Sequence, residues 1–173
     1  MLKHWIRRGI GRQEKALGVS MEYLRYMGQH DPLAVAKLSL LKPLSGHRSR
    51  VPTEALHLAR LQAIRAEDCG ECVQIEVNLA RQAGVAPDQI RAVLSDRFDL
   101  LPEDLGDVVR FAEAVVKAAS GDDFLRERVR LWYGDQGLVE LSMAIAFARY
   151  FPTLKRALGF SQSCSLIRVA VPA

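Results

Sequence analysis

Residues 53–84 read TEALHLARLQAIRAEDCGECVQIEVNLARQAG, and the fold turns on how this stretch is read. On either side of Ala66-Glu67-Asp68, apolar residues recur at steps of three and four, the period of a helix with one buried face. His57, Leu61 and Ile64 share a stripe on the first segment; Cys69, Cys72, Glu76, Leu79 and Ala83 share one on the second. Gly84 closes the second segment ahead of Pro87. The stretch predicts two antiparallel helices joined by a short turn, with His57 and Glu76 at comparable distances from that turn and on facing sides.

The same punctuation extends outward. Pro32, Pro52, Pro87 and Pro102 each stand where a first helical turn would begin, with Asp31 and Ala86 just before two of them. The pattern predicts helices near 13–29, 32–41, 53–66, 68–83, 87–95, 102–119, 122–133 and 136–158. Alternation with period two is confined to the tail Leu166–Val171, so the expected fold class is all-α. The loop Lys42–Arg48 sets an N-terminal helical pair apart from the central unit, without the length or composition of a tether. A chain of 173 residues suits one domain with a real core, and we read residues 1–173 as that domain.

Composition narrows the classes further. With 49% apolar and 25% charged residues, no run approaches the roughly 18 consecutive apolar residues of a spanning helix. The opening Met1–Arg8 has the positive end of a signal peptide, but Arg12, Glu14 and Lys15 interrupt the apolar stretch that should follow. Three cysteines, two of them in Cys69-Gly70-Glu71-Cys72, are not the dense, even set of a secreted disulfide framework. A cytoplasmic, reducing setting is the expectation. The net charge is +4, and the arm 1–18 carries all of it through Lys3, Arg7, Arg8, Arg12 and Lys15 against Glu14. Without a basic, aromatic-interleaved surface elsewhere, this arm reads as a solvated or subunit-packing helix, and neither nucleic acid nor a membrane is an expected partner.

The chemistry concentrates in the second predicted helix. Cysteines at i and i+3 have Cα atoms roughly 5–6 Å apart, within the span of a disulfide. Asp68 is the expected cap, which would put Cys69 in the first turn, where unpaired N–H groups and the helix dipole favour a thiolate. Glu67, Asp68 and Glu71 act in the opposite sense. Glu76, on an otherwise apolar stripe, needs a partner or a proton, and His57 is the expected partner. That pair would provide a base for a thiol proton and an acid for a departing hydroxide or alkoxide. Two other readings use the same residues: inert packed thiols, and zinc held by Cys69, Cys72, His57 and Glu76, although structural zinc usually draws on pairs from two separate turns. Cys164 reads as an incidental or packed thiol, His4, His30 and His47 as surface or hydrogen-bonded residues, and Met21, Met27 and Met143 as core fillers.

The spacing His57, eleven residues, Cys69, two residues, Cys72, three residues, Glu76 resembles the AhpD-like branch of the carboxymuconolactone decarboxylase superfamily, with the family's Glu and His positions exchanged. The likeness continues through Leu79–Val85 and Pro87–Ile90, Phe111–Val115 and Leu138–Ala146, covering roughly residues 45 to 160. The resemblance implies an AhpD-like helical bundle acting as a thiol-dependent hydroperoxide reductase. In it the residue matching Cys72 attacks the peroxide, the one matching Cys69 resolves it as a disulfide, and the acid and imidazole relay protons. No bound cofactor is implied; a lipoyl-bearing or thioredoxin-like protein would return electrons. A homo-oligomer is also expected, since the helix Leu138–Leu158 is apolar on more than one side. The alternative from another class is a non-enzymatic thiol redox sensor or interaction module.

Overall fold

The computed structural model describes residues 2–118, 123–160 and 169–171. Among them the chain is all-α, in the order α1 (Leu2–Leu17), α2 (Glu22–His30), α3 (Pro32–Leu38), α4 (Leu41–Ser45), α5 (Thr53–Arg65), α6 (Gly70–Gln82), α7 (Pro87–Leu94), a 3-10 turn (Phe98–Leu100), α8 (Glu103–Lys117) and α9 (Asp123–Ala157). No helix among the described residues is long and apolar enough to cross a membrane. Of the predicted tail strand, 166–168 lie outside the described residues and 169–171 have no regular structure.

Pro32 and Pro87 open their helices as predicted, while Pro52 and Pro102 stand one residue earlier, at the caps of α5 and α8. At α3, Pro32 takes the first helical position and the Asp31 side chain accepts the Ala34 N–H at 2.9 Å. α6 ends in paired reverse hydrogen bonds, Val85 N–H to Ala80 O at 3.0 Å and Gly84 N–H to Arg81 O at 3.1 Å.

Two boundaries differ from the sequence reading. The single helix expected over 13–29 is two, because Gly18 takes a left-handed conformation (φ 64°) and the Glu14 carboxylate accepts the Met21 N–H at 2.8 Å in the break. The basic arm is thus helical from Leu2. Residues 41–45, expected as helix end and loop, form the short helix α4. The break expected after residue 133 is present as a kink in α9, where Gly134 has φ 71° and ψ −179°.

α5 is the central helix: Ala55, Leu56, Leu58, Ala59, Leu61, Ala63 and Ile64 are all buried against α6, α8 and α9. Its Leu58 and Leu61 are fully enclosed, as are Val77, Ile90, Val108, Leu141 and Ile145 around it, and each large aliphatic contributes about 1.5–3 kcal/mol by leaving water. The loop entering α5 is held by Glu140, which is 0% exposed. Its carboxylate accepts the N–H groups of Ser49 (2.9 Å), Arg50 (3.1 Å) and Val51 (3.0 Å) and the Ser49 hydroxyl (2.8 Å). Burial alone would raise the Glu140 pKa, but these donors outweigh it and bring it down to about 2.

A second, smaller core seats the N-terminal helices. Ile10, Met21, Tyr23 and Leu24 pack with Ile75 of α6 and with Phe151 and Leu154 of α9. The last carbonyls of α1 are met from α6, Ala16 O by the Gln82 amide at 3.1 Å and Leu17 O by the Asn78 amide at 2.6 Å. α6 therefore lies between the main core and this N-terminal layer.

Candidate functional site

The turn from α5 to α6 positions the two cysteines. Glu67 N–H bonds to Ile64 O at 3.0 Å and Asp68 N–H to Arg65 O at 3.3 Å, after which Asp68 takes a left-handed conformation (φ 49°). Asp68 is therefore not the helix cap; reversing the chain so tightly needs one left-handed residue, a conformation that Asp tolerates. The cap position falls to Cys69 (φ −121°, ψ 89°), whose carbonyl accepts the Val73 N–H at 2.9 Å. This shift carries Cys72, not Cys69, into the first turn, among N–H groups with no intrahelical partner and at the positive end of the helix dipole. Both cysteines are buried, 5% and 7% exposed, and neither is in a disulfide.

The buried face of α6 is Cys72, Val73, Glu76, Val77 and Ala80. The predicted stripe is right as far as Glu76 and then drifts: Leu79 is half-buried and Ala83 exposed. Glu76 lies one turn along from Cys72 and its side chain is 1% exposed.

The expected His57–Glu76 pair is present. His57 Nδ1 lies 2.8 Å from Glu76 Oε1, with only 12% of the imidazole exposed. Arg60, unremarked in the sequence, takes the other oxygen: its guanidinium is 2.8 Å from Glu76 Oε2 and 14% exposed. One turn from His57 on α5, Arg60 balances a buried carboxylate that a neutral imidazole alone would leave charged and uncompensated. A carboxylate on Nδ1 fixes the ring tautomer and leaves Nε2 to take or give a proton.

The acidic turn around the cysteines is answered by three cations from the end of α9. Glu67, 6% exposed, receives Arg149 Nε at 2.5 Å and Arg156 Nη2 at 3.3 Å, and Arg156 also bonds the Glu67 carbonyl at 2.7 Å. Glu71 pairs with Lys155, itself 4% exposed. Asp68 remains at the surface.

Tyr23 of α2 completes the surroundings. Burial raises its phenol pKa, and negative charge at Cys72, Cys69 or Glu71 would raise it further. Tyr23 itself is buried in the N-terminal layer, in the cluster that includes Ile75 of α6.

Among the described residues, no three His, Cys, Asp or Glu side chains converge on a point that could hold a metal ion. Cys69, Cys72, His57 and Glu76 thus form a dithiol and an adjacent acid–imidazole pair, not one ligand set. Cys164 lies outside the described residues. His4, His30 and His47 are exposed as expected; Met21 is buried, and Met27 and Met143 are half-buried. No family model, no curated protein and no solved structure matches the chain.

Proposed function

We propose that the chain is a hydroperoxide reductase of the AhpD-like kind, cycling Cys69 and Cys72 between dithiol and disulfide. The observation that carries this reading is the dithiol itself: a Cys-x-x-Cys at a helix start, its second sulfur in the first turn, its acidic turn matched by Arg149, Lys155 and Arg156, and a His–Glu pair one turn along.

In the proposed reaction the Cys72 thiolate attacks the terminal oxygen of ROOH. The O–O bond breaks as an S–O bond forms; sulfur loses two electrons, and the departing alkoxide takes a proton. Cys72 is then a sulfenic acid. Cys69 attacks it, loses its own proton and releases water, leaving the Cys69–Cys72 disulfide. An external dithiol, such as a lipoyl-bearing or thioredoxin-like protein, returns both electrons and both protons and leaves as its own disulfide. His57 is the proton carrier, oriented by Glu76, which Arg60 holds in turn. No bound cofactor is needed. The setting is cytoplasmic and the working form a homo-oligomer.

A second reading, a redox sensor that oxidises once and does not turn over, draws on the burial of both sulfurs, which slows access for a substrate. Dithiothreitol-driven consumption of an organic hydroperoxide by wild type, Cys72→Ser and Cys69→Ser separates the two, with metal content assayed on the same protein. The reductase predicts turnover in metal-free wild type that is lost with Cys72. A disulfide that forms without turnover identifies the sensor, and stoichiometric zinc overturns both.

A further inference from the structure

We propose that Lys155 is a positioning residue that sets the reactivity of Cys72 by neutralising Glu71. The inference rests on the reading of Cys69 and Cys72 as the working dithiol, not on peroxide being its oxidant.

Glu71 sits directly before Cys72 in the first turn of α6, 18% exposed. There a carboxylate is good for the helix and bad for a thiolate: it complements the dipole, and it repels a second negative charge one residue away. Lys155 arrives from 84 residues downstream and pairs with Glu71 while almost wholly buried. A lysine in an ordinary last helical turn keeps its ammonium in water; this one does not, so its pairing offsets a desolvation cost. Its backbone is fixed by the close of α9, where Phe160 N–H bonds to Lys155 O at 3.0 Å and Gly159 N–H to Arg156 O at 3.0 Å.

The titratable and charged groups around Cys72 come from four directions. The turn and α6 bring Glu67, Asp68, Glu71 and Cys69, and α2 brings Tyr23. α5 brings His57 and Arg60 through Glu76. α9 brings Arg149, Lys155 and Arg156. Of the carboxylates, Glu71 is adjacent to Cys72 in sequence, and Lys155 is its cation. The pair therefore lets the helix start keep its acid without adding to the cost of a thiolate at Cys72.

The test is the pH dependence of Cys72 alkylation by iodoacetamide in the full chain carrying Cys69→Ser and Cys164→Ser, so that Cys72 is the one thiol present. The midpoint, not the absolute rate, is the readout, which separates charge from access. Lys155→Met should raise the midpoint by about one unit, cutting alkylation roughly tenfold below it. Adding Glu71→Gln should bring the profile back to within about threefold of the parent, and Lys155→Arg should leave it near the parent. An unmoved midpoint in Lys155→Met, or a double variant no better than the single, overturns the proposal and leaves the ion pair as a mere anchor of α9. If Lys155→Met does not fold, Glu71→Gln alone decides: a lower midpoint supports the proposal and an unchanged or higher one refutes it. No peroxide or reductant enters this assay, so failure of the reductase reading and failure of this one are read separately.

Discussion

Replacing Arg60 by Met removes one of the two groups that compensate the buried Glu76 carboxylate. The guanidinium is 2.8 Å from Glu76 Oε2 and 14% exposed, and Glu76 itself is 1% exposed. Taking one partner from a fully buried ion pair costs about 3–5 kcal/mol. Here the partner is at the edge of the core and His57 still holds Oε1 at 2.8 Å, so about 2–3 kcal/mol is expected. In a chain of this size that lowers the melting temperature by roughly 5–10 °C. Methionine fills most of the arginine stem's volume, which keeps the loss electrostatic and not steric. The second arm is Arg60→Met with Glu76→Gln: removing the charge that Arg60 answers should recover at least half of the loss. Urea unfolding at pH 7 measures both. A loss under about 0.5 kcal/mol for Arg60→Met would refute the reasoning, since it would mean water replaces the guanidinium at no cost.

Other outcomes follow from the same structure. The Glu140 pKa is lowered from 4.5 to about 2 on folding, so its stabilisation is complete above 4.5 and is lost as pH falls toward 2. That step, at most about 3 kcal/mol, should be absent from the acid-unfolding curve of Glu140→Gln. Leu58→Ala, at a fully enclosed position on the central helix, should cost about 2–5 kcal/mol in urea unfolding. Gly134→Ala forces a side chain onto backbone at φ 71° and ψ −179° and should destabilise by about 1–3 kcal/mol, read as a lower melting temperature. In the hydroperoxide assay, His57→Phe should lower turnover by about 10²-fold with the Cys69–Cys72 disulfide still able to form, because it removes the proton carrier and not the sulfurs.

Much of the site was legible because it is local. Helical register alone puts Glu76 one turn from Cys72, and a short hairpin brings His57 opposite it; the 2.8 Å contact is what those two facts require. The all-α class and the proline starts were legible for the same reason, since a period and a missing N–H act within a few residues. The Asp68 cap was misread because sequence does not say which of two adjacent residues goes left-handed in a tight reversal. The helix expected over 13–29 spans Gly18, whose left-handed conformation ends it, and nothing in the apolar period marks that one glycine as a break. Arg60 has a local signal, a cation one turn from His57 on a buried helix. Lys155, Arg149 and Arg156 had none: each reaches its carboxylate across more than 80 residues, a pairing that only packing of α9 on the hairpin creates. Tyr23 belongs with them, because it packs against Ile75 of α6 only after the N-terminal layer folds onto that helix.

The most direct test of the central claim is the amount of organic hydroperoxide consumed per chain with excess dithiothreitol, wild type against Cys72→Ser. The account predicts many equivalents per wild-type chain and none above background for the variant. Consumption that stops at one equivalent in wild type, or that continues undiminished without Cys72, would contradict it.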